Sequence, residues 1–188
     1  MLETDFYLIK KLQEGDTTAF RQLVERHKDV SLSLACAILK DTGKAEDVLQ
    51  EAFIKVYKKI DTFQFHAAFT TWLYRIVINT SYNALKKDKN RQRFSQETEE
   101  KLRAVEDIPI DKLKAADQKK YINMALNKLR PDEALVLRLF YLCELKISEI
   151  TESTGFSTSK IKVDLSRGRS NLNFQLRQIL GTEIDNLL

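Results

Sequence analysis

The chain has 188 residues, of which 43% are hydrophobic and 31% charged, so it is too apolar for a disordered protein and long enough for one or two globular domains. It contains only 5 Gly and 2 Pro, and this scarcity of helix-breaking residues predicts an all-helical fold. The formal net charge of +4 is compatible with a nucleic-acid partner and is weak support for one.

Several classes of protein are disfavoured by what the sequence lacks. The first residues, MLETDFYLIKK, contain no long apolar core or cleavage site, and no apolar run approaches the roughly 20 residues that span a bilayer. We therefore expect no signal peptide, no membrane insertion and a cytoplasmic location. Cys36 and Cys143 lie far apart in apolar helical segments, which predicts reduced, buried thiols. Neither His27 nor His66 has a neighbouring Cys, Ser or metal-spaced carboxylate, so we expect no catalytic site, metal, cofactor or small-molecule substrate.

The N-terminal half begins with three amphipathic helices. The first is predicted at residues 4–13, and Asp16 then caps a second over residues 17–40, with His27 on its apolar stripe. The third, KAEDVLQEAFIKVYKKI, has an apolar face, and the opposite face is formed by Asp47, Gln50, Glu51, Ile54 and Lys58. An apolar centre inside a polar rim is typical of a protein-docking surface. A solvated face with one stray Ile is an equally good interpretation.

Residues 61–87 combine an aromatic loop, a helix and a basic end. Phe63, Phe65 and Phe69 crowd a loop without Gly or Pro, and Thr70 or Thr71 is predicted to cap a helix that runs through residue 87. One face of this helix carries Arg75, Asn79, Tyr82, Asn83 and Lys86 at steps of three and four. Cations neutralise phosphates, amides pair with base edges, and exposed aromatics stack on unpaired bases. The pattern suits nucleic acid, although core aromatics and an ordinary solvated face would produce it too.

A change of composition then separates two halves of the chain. Residues 86–93 contain five basic residues and one acid, whereas residues 97–117 contain seven acids and four bases around Pro109. The apolar pattern is thin there, so we interpret residues 90–116 as an extended or partly disordered linker between two domains.

Residues 117–188 are predicted to form a second helical domain. Helices are expected at residues 118–129 and 131–145, with Pro131 in the first turn of the latter. Ser148 is predicted to cap a short helix that Gly155 ends, and Ser157 to cap the next one, which together make a helix-turn-helix. The last helix turns a basic face away from the core, formed by Thr158, Ser159, Lys160, Lys162, Val163, Ser166, Arg167 and Arg169. Such a face fits a DNA major groove; the alternative is a helical hairpin with a solvated basic face.

The order of these pieces resembles the bacterial sigma factors of the extracytoplasmic-function (ECF) group over nearly the whole chain. The resemblance lies in GDTTAFRQLVERHKD, AEDVLQEAFIKVYKKID, FTTWLYRIVINTSYNALKK and the stretch from LNKLRPDEALVLRLFYLCEL through ISEITESTGFSTSKIKVDLSRGRSNL. It implies a two-domain, non-enzymatic protein that binds core RNA polymerase and directs it to promoter DNA. Residues 1–89 would be the region 2-like domain, residues 90–116 the linker, and residues 117–188 the region 4-like domain.

The resemblance also implies a role for each candidate site residue. The core-polymerase face would be Asp47, Gln50, Glu51, Ile54 and Lys58. The downstream, minus-ten element would be read and melted by Phe63, Gln64, Phe65, His66, Phe69, Thr70, Trp72, Arg75, Asn79, Tyr82, Asn83, Lys86 and Lys87, with a flipped base held between Gln64 and Thr70. The upstream, minus-thirty-five element would be read by Ser157, Ser159, Lys160, Lys162, Val163, Ser166, Arg167 and Arg169. The family often has a basic residue at the position of Asp164, so no phosphate contact is expected from Asp164 itself. An anti-sigma factor is a further expected partner.

A stand-alone helix-turn-helix regulator with a helical partner-binding domain is the alternative function. Such a protein would need only residues 117–188 for DNA binding and would have no use for the polymerase face on the third helix.

Overall fold

The computed structural model describes residues 4–94 and 115–181, with side chains for residues 4–90, 118 and 120–181. Every regular element in these ranges is helical, which confirms the all-helical prediction. The helices are α1 Asp5–Gln13, α2 Thr17–Leu39, α3 Thr42–Lys59, α4 Phe69–Phe94, α5 Ala115–Lys128, α6 Pro131–Leu137, α7 Ile147–Thr154 and α8 Thr158–Leu180. A short 3-10 turn, Ile60–Thr62, follows α3, and a π-helical turn, Arg138–Leu142, continues α6.

Some of the predicted helix caps are confirmed and others are wrong. The Asp16 carboxylate accepts the Thr18 N–H at 2.9 Å, Ser157 Oγ accepts the Lys160 N–H at 3.2 Å, and Gly155 ends α7 at φ 73°.

Two predicted caps lie inside helices instead. The Ser148 cap is wrong because a cap at Ser148 would start α7 at residue 149, whereas α7 starts at Ile147. The N-cap residue is Lys146, whose N–H donates to Glu149 Oε2 at 2.8 Å. The Thr70 or Thr71 cap is also wrong, since α4 already includes Phe69, which packs into the core from its first turn.

Helix α4 is longer than predicted. It runs to Phe94, past the expected start of the linker at residue 90, because residues 86–94 contain no Gly or Pro and are rich in Lys, Arg and Gln, which favour helices. The rest of the predicted linker up to residue 114 lies outside the described residues, and α5 begins at Ala115.

The N-terminal helices α1 to α4 share one hydrophobic core. Its fully buried side chains include Leu8, Leu23, Leu34, Leu73 and Ile78, one or more from each of α1, α2 and α4. His27 lies on the apolar stripe of α2 and is buried, and its Nε2 lies 2.9 Å from Asp5 Oδ2.

The C-terminal helices α6 to α8 form the helix-turn-helix domain around Leu135, Leu139, Ile150 and Ile161, which are fully buried. Helices α6 and α8 approach closely at Gly168. A Cβ added there would lie 3.1 Å from the Leu137 side chain, tighter than an ordinary contact, so any side chain at this position would require Leu137 to shift.

The two domains are packed against each other, α4 on α7 and α2 on α6. Ser153 Oγ donates to Thr71 O at 3.4 Å, and Arg138 Nε donates to Ser33 Oγ at 2.9 Å. The Arg138 guanidinium is nearly fully buried, so its burial lowers its pKa. Within the described ranges, no helix combines the length and apolar character needed to cross a bilayer.

Candidate nucleic-acid interface

The outer face of α3 is fully presented to solvent. Its exposed members are the five side chains that the sequence predicted as a docking surface: Asp47, Gln50, Glu51, Ile54 and Lys58. Ile54 is 55% exposed although it is aliphatic. Glu51 forms an ion pair with Lys55 one turn along the helix, with Lys55 Nζ 2.6 Å from Glu51 Oε1. Tyr57, which sequence reasoning missed, is also exposed beside Ile54, and its i+3 spacing from Ile54 was the available signal.

The aromatic loop between α3 and α4 has a buried side and an exposed side. Phe63 and Phe69 are each only 6% exposed, so in this conformation their rings support the loop from the core instead of facing solvent. Gln64 and His66 are exposed, and Phe65 is half-buried with a left-handed backbone (φ 60°), which is unusual for a residue other than Gly. Trp72 is half-buried and packs on Phe63, with the centres of the two rings 5.1 Å apart.

Helix α1 holds this loop in place, a role that sequence reasoning missed. Gln13 Nε2 donates to Ile60 O at 2.9 Å and to Phe63 O at 3.2 Å, and so anchors both ends of the turn that leads into the loop. A Gln at the end of a short helix gives no sequence signal for a contact about fifty residues away.

Helix α4 presents most of its predicted basic and amide side chains to solvent. Arg75, Asn79, Asn83, Lys86 and Lys87 are exposed, and Thr70 is half-buried. Tyr82 is half-buried, and its hydroxyl donates to Asp132 Oδ1 at 2.6 Å across the domain boundary. Burial and this hydrogen bond raise the pKa of Tyr82, so the hydroxyl remains a donor throughout the physiological range.

Helix α8 exposes all but one of the predicted upstream-element side chains. Those in solvent are Ser157, Ser159, Lys162, Val163, Ser166, Arg167 and Arg169. Arg169 makes hydrogen bonds to Leu165 O at 3.1 Å and to the Tyr141 hydroxyl at 3.4 Å. Lys162 and Arg167 make no side-chain hydrogen bond or ion pair with the described residues, so their charges are available to a ligand.

Lys160 is the exception on α8, because it is engaged within the protein. Its Nζ donates to Asp132 at 2.7 Å and to Asp164 at 2.6 Å, and lies 4.3 Å from the centre of the Phe156 ring. Burial alone would lower the pKa of Lys160, but the two carboxylates raise it, so the ammonium stays charged. Asp164 is only 9% exposed, and its carboxylate is paired with Lys160.

A cleft of about 890 Å³ between the domains brings together some of the predicted readers of the two promoter elements. Asn83, Lys86 and Lys89 of α4 line one wall, and Arg130 and Arg167 contribute to the other. Asp132, Glu133 and Asp164 also line the cleft, but Asp132 and Asp164 are already paired with Lys160.

These features define a class: an all-helical protein with a helix-turn-helix domain that carries an exposed basic face, and a second helical domain that exposes Ile54 among polar side chains. Family models agree with that division. The model for sigma-70 region 2 matches residues 23–91, and the model for sigma-70 region 4 matches residues 119–172.

Individual relatives place the chain within one group. Over 179 residues it is 32% identical to the ECF RNA polymerase sigma factor SigW of Bacillus subtilis (strain 168), a match that covers 91% of this chain and 96% of the relative. Over 82 residues it is 45% identical to the ECF RNA polymerase sigma-E factor of Escherichia coli (strain K12), covering 44% of this chain and 42% of that protein. The chain therefore belongs to the ECF RNA polymerase sigma factors, non-enzymatic proteins that direct promoter-specific transcription initiation.

Solved structures agree on the fold. The sigma factor RpoE, in complex with the anti-sigma factor NepR from Bartonella quintana, superposes with a TM-score of 0.69 at 22% identity, over 84% of this chain and 96% of that one. CnrH, in complex with the cytosolic domain of CnrY, gives a TM-score of 0.62 at 20% identity, over 94% of this chain and 99% of that one.

Proposed function

We propose that the α3 face docks the chain on core RNA polymerase, that the aromatic loop and α4 bind and open the downstream promoter element, and that α8 reads the upstream element. The observation that carries this assignment is the exposure of Asp47, Gln50, Glu51, Ile54 and Lys58 together on α3, whose other face is buried. A DNA-binding protein that worked alone would have no need of an apolar, half-exposed Ile54 on that face.

The downstream element would be opened by binding energy alone, since the sequence contains no phosphate-loop motif for ATP. Unstacking a base costs a few kcal/mol, which contacts with an extruded base can offset. Gln64, Phe65 and His66 form the solvent side of the loop and are the residues best placed to hold that base. Phe63 and Phe69 would act from beneath by keeping the loop in shape.

Promoter binding would require the two domains to separate. The centres of the minus-ten and minus-thirty-five elements lie roughly 25 base pairs apart, or about 85 Å along B-form DNA. Members of both sets of readers line one cleft here, and Tyr82 touches Asp132 across it. In this arrangement the chain cannot reach both elements, so docking on polymerase would have to hold the domains apart.

An anti-sigma factor is the second protein partner that we propose. The sigma factor RpoE is solved in complex with the anti-sigma factor NepR, and CnrH in complex with the cytosolic domain of CnrY; this chain shares the fold of RpoE and CnrH. We place the protein in the cytoplasm with the polymerase, without membrane insertion, cofactor, metal or small-molecule substrate.

Polymerase binding tests the proposal most directly. The full chain, labelled with a fluorophore, is titrated with sigma-free bacterial core RNA polymerase at moderate salt, and anisotropy reports the complex. We expect saturable binding that is lost in the double variant Asp47→Lys/Glu51→Lys, because charge reversal at the centre of a docking face opposes its partner. The matched control, Glu25→Lys/Asp29→Lys, reverses two exposed acids on α2 and should bind normally. Equal binding by wild type and the α3 variant would show that α3 is not the docking face.

A further inference from the structure

Helix α1 displays aromatic and cationic side chains on the face that points away from the core. Phe6 is 58% exposed and Tyr7 is 47% exposed, and Lys10 and Lys11 lie one turn further along the same helix. Leu8, Ile9 and Leu12 fill the core from the other side of α1. We call Phe6, Tyr7, Lys10 and Lys11 the α1 platform.

The α1 platform is continuous with the aromatic loop. The Phe6 and Phe65 ring centres are 4.9 Å apart, with the rings tilted at 51°, and Lys10 Nζ lies 5.1 Å from the centre of the Phe65 ring. Lys11 Nζ lies 4.6 Å from the centre of the Tyr7 ring. Together with the two Gln13 hydrogen bonds, these contacts fix the α1 platform relative to the loop.

The charge of this surface favours an anionic ligand. Asp5 is the acid nearest to Phe6 in the chain, and its carboxylate is already engaged by Arg26 and His27. Exposed aromatic rings with cations beside them are the features with which proteins hold single-stranded nucleic acid: bases stack on the rings and cations neutralise phosphates. A docking face for a protein would be expected to surround its apolar centre with mixed polar groups, as α3 does.

We propose that the α1 platform extends the single-strand surface of the downstream element by at least one nucleotide. Phe6 stacks on an unpaired base adjacent to the one held by Gln64, Phe65 and His66, and Lys10 contacts the neighbouring phosphate. This inference rests on the proposed function of the loop. It assigns to α1 a part in DNA binding beyond the contacts that hold the loop.

The test uses wild-type holoenzyme, formed from the full chain and core RNA polymerase, and a single-stranded probe. The probe is a deoxyoligonucleotide of about 12 nucleotides, a length within the usual single-strand site sizes, selected from a random pool by the wild-type holoenzyme. One 2-aminopurine is placed at each position in turn, because its fluorescence is quenched when it stacks. Phe6→Leu removes the ring but keeps an apolar side chain; Phe174→Leu is the matched control, since Phe174 is also 58% exposed but lies on α8.

Phe6→Leu is expected to weaken probe binding about 5- to 150-fold, the range for losing one stacked base, and to restore fluorescence at one position next to the flipped base. Lys10→Gln is expected to lower the slope of log affinity against log salt by about 0.7, the value for one phosphate on a single strand. Phe174→Leu should leave both readouts unchanged. The melting temperature of each variant checks that the fold is intact.

Three outcomes would overturn the inference and are distinct from a failure of the proposed function. Probe affinity and quenching that survive Phe6→Leu would show that no base stacks there. Fluorescence restored equally at every position would show that Phe6 only holds the loop. Weakened binding to core polymerase with unchanged probe binding would make the α1 platform a protein-docking face. A wild-type holoenzyme that binds no single-stranded probe would instead refute the proposed function of the loop.

Discussion

Lys160 and Lys162 lie two residues apart on α8, yet the structure predicts different effects when each is replaced: loss of Lys162 should weaken DNA binding, and loss of Lys160 should weaken the fold. Lys162 and Arg167 are exposed without ion pairs among the described residues, whereas Lys160 is bound to Asp132 and Asp164. All three members of this ion-pair cluster belong to the C-terminal domain. It would therefore remain intact in the proposed open arrangement, and Lys160 would stay unavailable to phosphate.

The expected magnitudes follow from counting phosphate contacts. Each contact to B-form DNA contributes about 0.9 to the slope of log affinity against log salt, so Lys162→Ala/Arg167→Ala should lower the slope by about 1.8. Between 0.05 and 0.2 M salt, wild type should then lose about 12-fold more affinity than the double variant, because the fourfold change in salt is raised to the power 1.8. Lys160→Ala should leave the slope unchanged and instead destabilise the fold by about 1 to 3 kcal/mol, since it leaves the buried Asp164 carboxylate without its cation.

The assay measures holoenzyme binding to a fluorescent duplex that carries an upstream element selected by the wild-type holoenzyme, at four salt concentrations. Thermal unfolding of the free variants supplies the stability difference. A slope lowered by about 0.9 in Lys160→Ala, the value for one phosphate contact, would refute the reasoning, because it would mean that Lys160 leaves its carboxylates to bind DNA. An unchanged slope in the double variant would show that α8 presents a different face to the duplex.

Three further predictions concern the closed arrangement, the thiols and the helix crossings. Tyr82→Phe removes a hydrogen bond to the charged Asp132, worth about 1.5 kcal/mol, and should shift the domains about tenfold toward the open state; an unchanged radius of gyration in small-angle scattering would contradict this. Burial raises the pKa of Cys143 to about 11, so iodoacetamide at pH 8 should label it far more slowly in the folded chain than in urea, and native labelling should accelerate as pH rises toward 11. A Cβ at Gly43 meets only ordinary contacts, so Gly43→Ala should raise the free energy of unfolding by about 0.4 to 1 kcal/mol. Gly168→Leu should lower it, because the added side chain meets Leu137. Thermal melts that ranked the two variants the other way would be inconsistent with the packing of α6 on α8.

Periodicity and capping chemistry predicted the helices well where local interactions decide the structure. Asp16 and Ser157 cap the helices that they were expected to cap because a cap needs only a short side chain and the next turn. The Thr70 or Thr71 prediction failed because the start of α4 is set by burial of Phe69, a tertiary contact with no local signature. The length of α4 could have been predicted, since nothing in residues 86–94 interrupts a helix.

The residue types of the candidate site could be predicted from the sequence, but not which of these side chains are already paired within the protein. The exposed faces of α3 and α8 follow from helical spacing, because core residues and solvent residues alternate with the turn of the helix. Asp164 lies four residues after Lys160, a spacing that a sequence can reveal, but the second carboxylate on Lys160 comes from Asp132, 28 residues away, and the platform on α1 depends on a contact between Phe6 and Phe65. Neither of these two distant pairings leaves a trace in a single sequence, since long-range contacts are set by the packing of whole helices.

The closed arrangement limits what the free protein can do with a promoter. If only a fraction of molecules have their domains apart, the apparent affinity for a site that needs both domains falls by that fraction. The Tyr82 hydroxyl, which spans the boundary, and the buried contacts of α7 on α4 both favour the closed state. The buried Arg138 guanidinium opposes it, because one of its nitrogens has no hydrogen-bond partner among the described residues and its desolvation is only partly offset by Ser33 and Asn127. The interface is therefore held by opposing contributions, so that a docking partner needs only a modest preference for the open chain to separate the domains. The α3 face is exposed in the closed chain as well, so polymerase bound there alone would favour neither arrangement; the preference would have to come from additional polymerase contacts with the surfaces of α4, α7, α2 and α6 that separation uncovers.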